Sequence, residues 1–270
     1  MLFKMRIAVF SDVHGNLTAM RAVLDDINRQ PSLDAIVFAG DLCLFGPRPQ
    51  ACIDLLGGQK IQSIIGNTDE WIREPPPVTD AMDEKLRQQR RQLRKLCRWT
   101  EQQLNQSSIE WLDALRKSFQ LKFNPTSVPE DDLLIVHANP VDLGQIIFPS
   151  IDRQKELYGR VRQDDDGLEN ILQTVDANLV AFGHLHIPGL REWKNKLLAN
   201  ISSVSLPGDG DARAKYSIIS WQSDVGWSVQ YFKIPYSIED EIKAFRDAKP
   251  PDWHEKVDQL TSRGYIAQVV

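Results

Sequence analysis

The sequence has few cysteines, no long apolar segment and no excess of positive charge. Its three cysteines are an odd number without C-x-x-C spacing, which argues against a disulfide framework and predicts a cytoplasmic location. No apolar run approaches the roughly 20 residues that cross a bilayer, so no membrane association is expected. The net charge of −5 argues against a protein that coats nucleic acid. What remains is a globular chain of 270 residues, enough for one large α/β domain or two small ones.

The first informative feature is a polar turn between an apolar strand and an amphipathic helix. Residues 7–10 are apolar, residues 17–27 have apolar side chains at helical spacing, and Asp12 and His14 lie between them. Ligands of α/β folds gather at the carboxyl ends of parallel strands. Asp12 and His14 can therefore hold one metal, and their oxygen–nitrogen mixture suits Mn, Fe, Zn or Ni better than Mg or Ca. The alternative is a surface turn in which Asp12 caps the next helix.

Two further strands in the first 70 residues or so have the same polar ending. The apolar run at 35–39 is followed by Gly40-Asp41, and a third strand at 62–65 is followed by Gly66-Asn67. A short helix is predicted at 50–56 between them. Three strand–helix units of this kind predict half of a doubly wound α/β fold. Each strand thus ends in a side chain that can bind metal.

A helical insertion is predicted at about 80–118, after the proline run at 75–77. It consists of a long polar helix at 80–105 and a second helix at 108–118. The long helix carries seven basic residues between positions 85 and 98. It is either a cap that holds an anionic substrate or a solvated helix face, and charge runs are usually the latter.

The second half of the chain predicts short strands with few helices between them. Segments 118–123 and 132–136 form a hairpin-like pair, and a helix at 168–175 precedes a strand at 179–182. Alternating patterns at 197–201, 216–220 and 227–234 predict a second, mostly antiparallel sheet packed against the first. Helices at 237–246 and 253–262 form a C-terminal helical tail spanning 237–264, with Ser237 as a capping residue.

Histidines are concentrated where these strands end. Four of the five directly follow an apolar strand: His14, His137, His184 and His186. Each one alone is more simply explained as a buried structural histidine. Four of them at the same topological position as two aspartates and an asparagine predict a metal site.

The order of these motifs resembles the signature of the calcineurin-like metallophosphoesterases, in particular their bacterial and archaeal single-domain phosphodiesterase branch. The motifs are D-x-H-G-N at 12–16, G-D at 40–41, G-N-x-D at 66–69, a histidine at 137 and G-H-x-H at 183–186. The resemblance covers nearly the whole chain. It implies one domain over 1–270 with an α/β fold: a four-layer α/β sandwich of two mixed β-sheets flanked by helices.

The resemblance also implies two divalent transition metals, with Mn expected first and Fe, Zn, Ni or Co as alternatives. The residues that it assigns to one metal are Asp12, His14, Asp41 and His186, and those that it assigns to the other are Asp41, Asn67, His137 and His184. Asp41 would bridge the two cations, and the hydroxide held between them would attack phosphorus in line. This mechanism explains why no serine or cysteine nucleophile is required.

Thr68 is a departure from the commonest family motif, G-N-H-[DE], whose histidine lies over the phosphate. A threonine hydroxyl can hydrogen-bond a phosphate oxygen, but its pKa prevents it from acting as a general acid near neutral pH. Substrates with good leaving groups are therefore favoured, such as a small phosphodiester or nucleotide rather than an alkyl monoester. The resemblance implies catalytic roles for Asp41, Asn67, Thr68 and Asp69, and substrate contacts by Asn67, Thr68 and Arg213.

Two other functions are compatible with these features. Loss of the motif histidine motivates the alternative of a degenerate member kept as a binding or scaffold protein, although such a protein would be expected to lose metal ligands as well. The basic helix at 85–98 suggests a nuclease, which the acidic net charge disfavours. The expected partner is a small phosphorylated substrate rather than nucleic acid, and homo-oligomerisation is compatible with the sequence.

Overall fold

The structure, a computed structural model, describes residues 4–59, 61–115 and 120–261. Nine α-helices lie within these residues: α1 Leu17–Ile27, α2 Pro49–Gly57, α3 Asn67–Arg73, α4 Glu84–Gln102, α5 Gln106–Leu115, α6 Ile151–Tyr158, α7 Asp166–Leu172, α8 Ile238–Ala248 and α9 Trp253–Thr261. The ten strands are β1 Lys4–Phe10, β2 Ala35–Phe38, β3 Gln62–Ser63, β4 Gln120–Phe123, β5 Leu133–Val136, β6 Leu179–Phe182, β7 Gly189–Trp193, β8 Lys196–Asn200, β9 Ala214–Gln222 and β10 Gly226–Ile234.

The strands form two five-stranded mixed sheets. The first has the order β10-β9-β1-β2-β3, in which β1, β2 and β3 are parallel and β9 is antiparallel to β1. The second has the order β4-β5-β6-β8-β7, in which β5, β6 and β8 are parallel. The predicted fold of two mixed sheets flanked by helices is therefore confirmed.

The partners of the C-terminal strands differ from the sequence prediction. The segments at 197–201, 216–220 and 227–234 do not form a sheet of their own. Strand β8 pairs in parallel with β6 of the second sheet, whereas β9 and β10 extend the first sheet beyond β1. The prediction was wrong because alternation of apolar and polar residues identifies a strand but does not specify the strand with which it pairs.

Two outer apolar layers and a central one explain the four-layer arrangement. Side chains on β1 alternate, so that Ile7 and Val9 face the second sheet while Ala8 and Phe10 face the helices. The central layer contains buried side chains of both sheets, among them Leu133 and Leu179. Helices α1 and α2 cover the outer face of the first sheet, and α7 covers that of the second. The order of layers is therefore helix, sheet, sheet, helix.

Helical segments largely match their predicted positions. Helices α4 and α5 lie in the predicted insertion at 80–118, and residues 116–118 of that prediction lie outside the described residues. In the tail, the Ser237 side chain accepts from the Asp240 amide as predicted, and positions 262–264 are outside the described part. Helices α3 and α6 and strand β7 were not predicted, because each is short and lies beside loop-forming residues.

Two bulk predictions can be compared with the described residues. All three cysteines are free and buried, consistent with the absence of a disulfide framework. Over 4–59, 61–115 and 120–261, none of the helices combines the length and the apolar character that a membrane crossing requires.

The edge where the parallel strands of both sheets end is the part of the fold that carries the polar turns. Strands β1, β2 and β3 lead into residues 11–16, 40–46 and 66–69, and strands β5 and β6 lead into residues 137–139 and 183–187. Two sheets packed face to face therefore bring five polar turns to one place.

Candidate metal centre

The turns after β1 and β2 are hydrogen-bonded to each other beyond the end of the strands. The amides of Asp12, His14 and Gly15 donate to the carbonyls of Gly40, Asp41 and Leu42 at 2.9, 3.0 and 2.7 Å. Gly46 packs directly on this pair of turns, where a β carbon would overlap the backbone of His14 and Gly15. Asp12, His14 and Asp41 are thereby held in one rigid unit.

Several of the polar residues adopt a left-handed backbone conformation that side chains other than glycine rarely take. The φ angles are 56° for Asp12, 49° for His14, 66° for Asp41, 62° for His184 and 62° for His186. Such conformations cost on the order of 1–3 kcal/mol each and are concentrated at functional sites. The hydrogen bonds between the turns keep these residues in place despite this cost.

The side chains form two groups of three that could hold a metal ion. The first consists of Asp12, His14 and His186, and the second of Asp41, His137 and His184, with the candidate ligand atoms of each group within 4.8 Å of one another. In the first group, His186 Nε2 lies 3.1 Å from Asp12 Oδ1 and 3.3 Å from His14 Nε2.

Asp41 connects the groups, and Asn67 lies beside the second one. Asp41 Oδ2 lies 3.4 Å from His137 Nε2 and 3.9 Å from His14 Nε2, so one oxygen faces both groups. Asn67 Oδ1 lies 2.9 Å from His137 Nε2. All seven residues predicted as metal ligands therefore converge, although they come from five separate turns.

Each aspartate uses one carboxylate oxygen for anchoring. Asp12 Oδ2 accepts from Ser11 Oγ at 2.5 Å and from the His184 amide at 3.1 Å, which leaves Oδ1 facing the histidines. Asp41 Oδ1 accepts from the Thr68 amide at 2.9 Å, which leaves Oδ2 between the two groups. The capping alternative for Asp12 is wrong, because the N-cap of α1 is Asn16, whose side chain accepts from the Ala19 amide.

One ring nitrogen of each histidine is hydrogen-bonded to a backbone carbonyl. The pairs are His14 Nδ1 with Leu44 O at 3.1 Å, His137 Nδ1 with Ala39 O at 2.9 Å, His186 Nδ1 with Leu206 O at 2.8 Å, and His184 Nε2 with Gly144 O at 2.9 Å. A carbonyl accepts a hydrogen bond, so this nitrogen carries the proton and the other has a lone pair for a metal. His184 would therefore bind through Nδ1 and the other three through Nε2.

Burial and charge set the protonation of the histidines in the protein alone. Burial lowers the pKa of His14 and of His184 to about 4, so both are neutral and ready to bind metal at neutral pH. Burial is the largest single influence on His137 and acts against a proton there. The charge and hydrogen bond of Asp41, the charge of Asp12 and the hydrogen bond to the Ala39 carbonyl together outweigh it and raise the pKa of His137 to about 9. A metal at this position must displace that proton.

Asp69 does not face the two groups. Its carboxylate accepts from the amides of Asp41 and Leu42 at 2.8 Å each and from the Gly66 amide at 3.1 Å. Burial and then the charge of Asp41 raise the pKa of Asp69 to about 7, and the three N–H donors oppose this rise. Asp69 therefore fixes the turn after β2 against the turn after β3.

Asp69→Asn is expected to weaken metal binding about 10- to 100-fold, the usual effect of removing a group that orients a ligand. The amide nitrogen that this substitution introduces would face at least one backbone N–H, which also costs about 1–3 kcal/mol of stability. Metal titration and thermal unfolding measure the two effects. Asp54→Asn on the exposed face of α2 is the matched control, and equal metal affinity in both variants would contradict this role.

Thr68 is buried beside the two groups, whereas Arg213 is exposed and ion-paired. Thr68 Oγ1 is buried beside the groups and, among the described residues, has no hydrogen-bond partner. The guanidinium of Arg213 is exposed and paired with Asp211, 2.5 Å away. The hydrogen bonds described for Arg213 do not include any of the seven residues, so its substrate contact stays a prediction.

Comparison with known proteins agrees with this geometry. A family model described as calcineurin-like phosphoesterase matches residues 5–188. The chain belongs to the calcineurin-like phosphoesterases. That family is one of phosphoric ester hydrolases, and the matched segment includes all seven converging residues, from Asp12 to His186. The resemblance drawn from the motifs is thus confirmed.

Relatives of this calcineurin-like phosphoesterase cover almost its whole length. An uncharacterized protein of Methanocaldococcus jannaschii is 24% identical over 269 residues, 93% of this chain and 96% of the relative. The crystal structure of a metallophosphoesterase from Sphaerobacter thermophilus is similar with a TM-score of 0.69 at 24% identity, covering 96% of this chain and 99% of the other. A hypothetical protein from Pyrococcus horikoshii has a TM-score of 0.72 at 16% identity over the same shares. These similarities establish the fold.

The donor atoms in this phosphoesterase fit divalent transition metals. Two carboxylates, four imidazoles and one amide oxygen form a mixed oxygen–nitrogen set, which Mn, Fe, Co, Ni and Zn accept. Each histidine is hydrogen-bonded to a backbone carbonyl through one ring nitrogen, which leaves the lone pair of the other nitrogen available to a metal. The side chains present therefore match a pair of such cations.

Proposed function

We propose that this chain is a phosphodiesterase that uses two divalent transition metals, with manganese expected first. The observation that carries the proposal is the position of Asp41 Oδ2, which faces His14 of one group and His137 of the other. Asp12, His14 and His186 would complete one shell, and Asn67, His137 and His184 the other. Two such cations supply an activated water and neutralise the phosphate.

The chain itself would contribute binding and orientation. Asp69 keeps the turns of Asp41 and Asn67 together through three backbone amides. Thr68 would donate its hydroxyl hydrogen to a phosphate oxygen, because this buried group has no partner among the described residues. The four histidines are held at their second nitrogen by carbonyls, so little rearrangement accompanies catalysis.

The preference for diesters follows from the absence of an acid near the expected leaving group. A threonine at position 68 cannot protonate an alkoxide near neutral pH. A phosphodiester or nucleotide whose leaving group is already a weak base needs no such proton. We therefore expect activated diesters to be cleaved faster than alkyl monoesters.

Metal removal and replacement test the proposal. Protein treated with chelator is expected to be inactive, and Mn²⁺, Ni²⁺ or Co²⁺ should restore hydrolysis of bis(p-nitrophenyl) phosphate with about two metals bound per chain. Hydrolysis of methyl phosphate, an alkyl monoester with a poor leaving group, measures the expected preference for activated diesters. No turnover with any metal and less than one metal per chain would instead support a binding or scaffold protein.

Thr68→Val tests the role of the hydroxyl, since valine keeps the volume of the side chain. The variant is expected to bind metal normally and to lose about 10- to 100-fold in kcat/KM, the value of a hydrogen bond to a charged group. Steady-state kinetics with bis(p-nitrophenyl) phosphate and elemental analysis provide the two measurements. Thr68→Ser is the control that restores the hydroxyl, and unchanged kcat/KM in Thr68→Val would remove Thr68 from the substrate site.

A further inference from the structure

A cleft of about 380 Å³ lies between helices α4 and α9, next to the metal centre. Its lining includes Phe45, Leu93 and Leu96 as apolar groups, Gln88 and Gln89 as amides, and Lys256 as a cation. A cavity of roughly 300 Å³ or more is large enough for a small organic ligand. The metal ligands themselves do not line it.

Phe45 connects this cleft with the metal centre. Its ring centroid lies 5.4 Å from that of His14, in an edge-on contact. On the α9 side, Lys256 Nζ lies 4.6 Å from the same Phe45 centroid. The cleft therefore opens beside the position where a phosphate would bind.

Both walls of the cleft are held in fixed positions. Phe45 has φ +86°, a conformation that is costly for an aromatic residue and that the packing of Gly46 on His14 and Gly15 maintains. Helix α9 starts after Asp252, whose φ is +58°. Gln92 of α4 donates to Asp252 Oδ1 at 3.3 Å, which ties the two helices across the cleft.

We propose that this cleft binds the nucleoside of a nucleotide substrate and that Lys256 binds its phosphate beside the metals. The proposal rests on the proposed function, because it places the organic part of the same substrate. Phe45 and the two leucines provide apolar and aromatic surface for a flat base. The glutamine amides each offer a donor and an acceptor, which matches the edge of a nucleobase.

The ammonium of Lys256 has one described hydrogen bond, to a neutral acceptor. Besides the Phe45 ring, its ammonium donates to Gln259 Oε1 at 3.2 Å. Burial lowers the pKa of Lys256, and the charges of Glu255 and Asp252, which also line the cleft, act in the opposite direction. A phosphate beside Lys256 would favour its charged form further, because opposite charges attract. Most of the basic side chains of α4 do not share this cleft: Arg91, Arg94, Lys95 and Arg98 line a separate one with Trp99.

Calorimetric binding of AMP and of methyl phosphate to the Mn²⁺-loaded full chain tests the proposal. AMP is expected to bind at least about 10-fold more tightly than methyl phosphate, the order of effect of one aromatic contact with a base. Gln89→Trp, which fills the cleft from the exposed face of α4, should remove this advantage without changing methyl phosphate binding. Lys256→Gln should weaken both compounds about 10-fold, and Lys256→Arg should restore them.

Lys95→Gln is the matched control, because it removes the same charge from the other cleft on α4. If Lys256→Gln binds AMP and methyl phosphate with the same affinities as Lys95→Gln, Lys256 does not bind the phosphate. Equal affinities for AMP and methyl phosphate, an AMP affinity that does not fall in Gln89→Trp, or no binding of either compound would overturn the nucleoside cleft. Turnover of bis(p-nitrophenyl) phosphate is measured in parallel. If the protein turns this substrate over but binds AMP no more tightly than methyl phosphate, only the nucleoside site is refuted. If it binds AMP more tightly but does not turn the substrate over, only the proposed function is refuted.

Discussion

Asp41→Asn is expected to lose both metals and to reduce kcat for bis(p-nitrophenyl) phosphate by at least about 10³-fold. The estimate exceeds the about 10²–10³-fold effect of removing one preorganised donor, because a single oxygen of Asp41 faces both histidine groups. The asparagine side chain has the same size as aspartate and keeps an oxygen that accepts from the backbone N–H of Thr68. What it removes is the negative charge between the two cations.

Elemental analysis and steady-state kinetics measure this prediction on the same preparation. Asp25→Asn, on the exposed side of α1, makes the same chemical change away from the site and should retain two metals and full activity. An Asp41→Asn protein that keeps two metals and turns over within about 10-fold of the parent chain would refute a bridging carboxylate. Loss of one metal only would assign Asp41 to a single shell.

Bound metal should also make the folded state more resistant to heat. Cations that bind the folded chain and not the unfolded one stabilise it by mass action, about 2.7 kcal/mol at a free concentration 100 times the dissociation constant. The burial of Asp12, Asp41 and His137 makes this dependence strong, because metal-free protein confines two negative charges and a protonated imidazole in one place. Asp41→Asn should therefore lose most of the increase in Tm that Mn²⁺ gives the parent chain.

The convergence of the candidate metal ligands could be predicted, because the strand ends of an α/β fold meet at one edge of the sheet. Asp12, Asp41 and Asn67 each follow an apolar run, and parallel pairing of β1, β2 and β3 brings those ends together whatever the loops do. The same reasoning applied to β5 and β6 brings His137 and His184 to the same edge, beside Asp41. Residue type and strand position were sufficient to predict that these side chains lie together.

The groups that orient those ligands could not be predicted, since most of them are backbone atoms. The carbonyls of Leu44, Ala39, Leu206 and Gly144 hold the four histidine rings, and every residue type has a carbonyl. The role of Asp69 was also hidden, because a place in a sequence motif gives no information about the direction of a side chain. Its three hydrogen bonds are to amides of two different turns.

The pairing of strands that are far apart in the chain could not be predicted either. Strand β9 lies against β1, with Ile219 opposite Ile7, although more than 200 residues separate them in the chain. The apolar pattern of β9 would suit a position in either sheet. Packing of Tyr216 on Phe232 and of its hydroxyl on Asp26 of α1 favours the first sheet, and these contacts exist only in the folded chain.

Gly183→Ala is expected to damage the metal centre without changing any ligand. A β carbon at this position would overlap Ser11 Oγ and Asp12 Oδ2, which are already bonded to each other at 2.5 Å. Neither can move freely, because Asp12 Oδ2 also accepts from the His184 amide and Ser11 Oγ contacts Ser202 O at 3.1 Å. Displacing Asp12 is expected to weaken metal binding about 10- to 100-fold and to cost about 1–3 kcal/mol of stability through overpacking.

Gly189→Ala is the matched control for this substitution, because a β carbon on Gly189 would meet nothing within 4 Å. It makes the same change six residues further along the chain and should leave Tm and metal content unaltered. Metal titration separates a local effect from a general one: if the metal affinity of Gly183→Ala equals that of Gly189→Ala, the Asp12 carboxylate is not a ligand. If instead metal binding falls while the two proteins unfold within a few degrees of each other, the tight packing of Gly183 serves the metal centre rather than the fold, because only the position of Asp12 has changed.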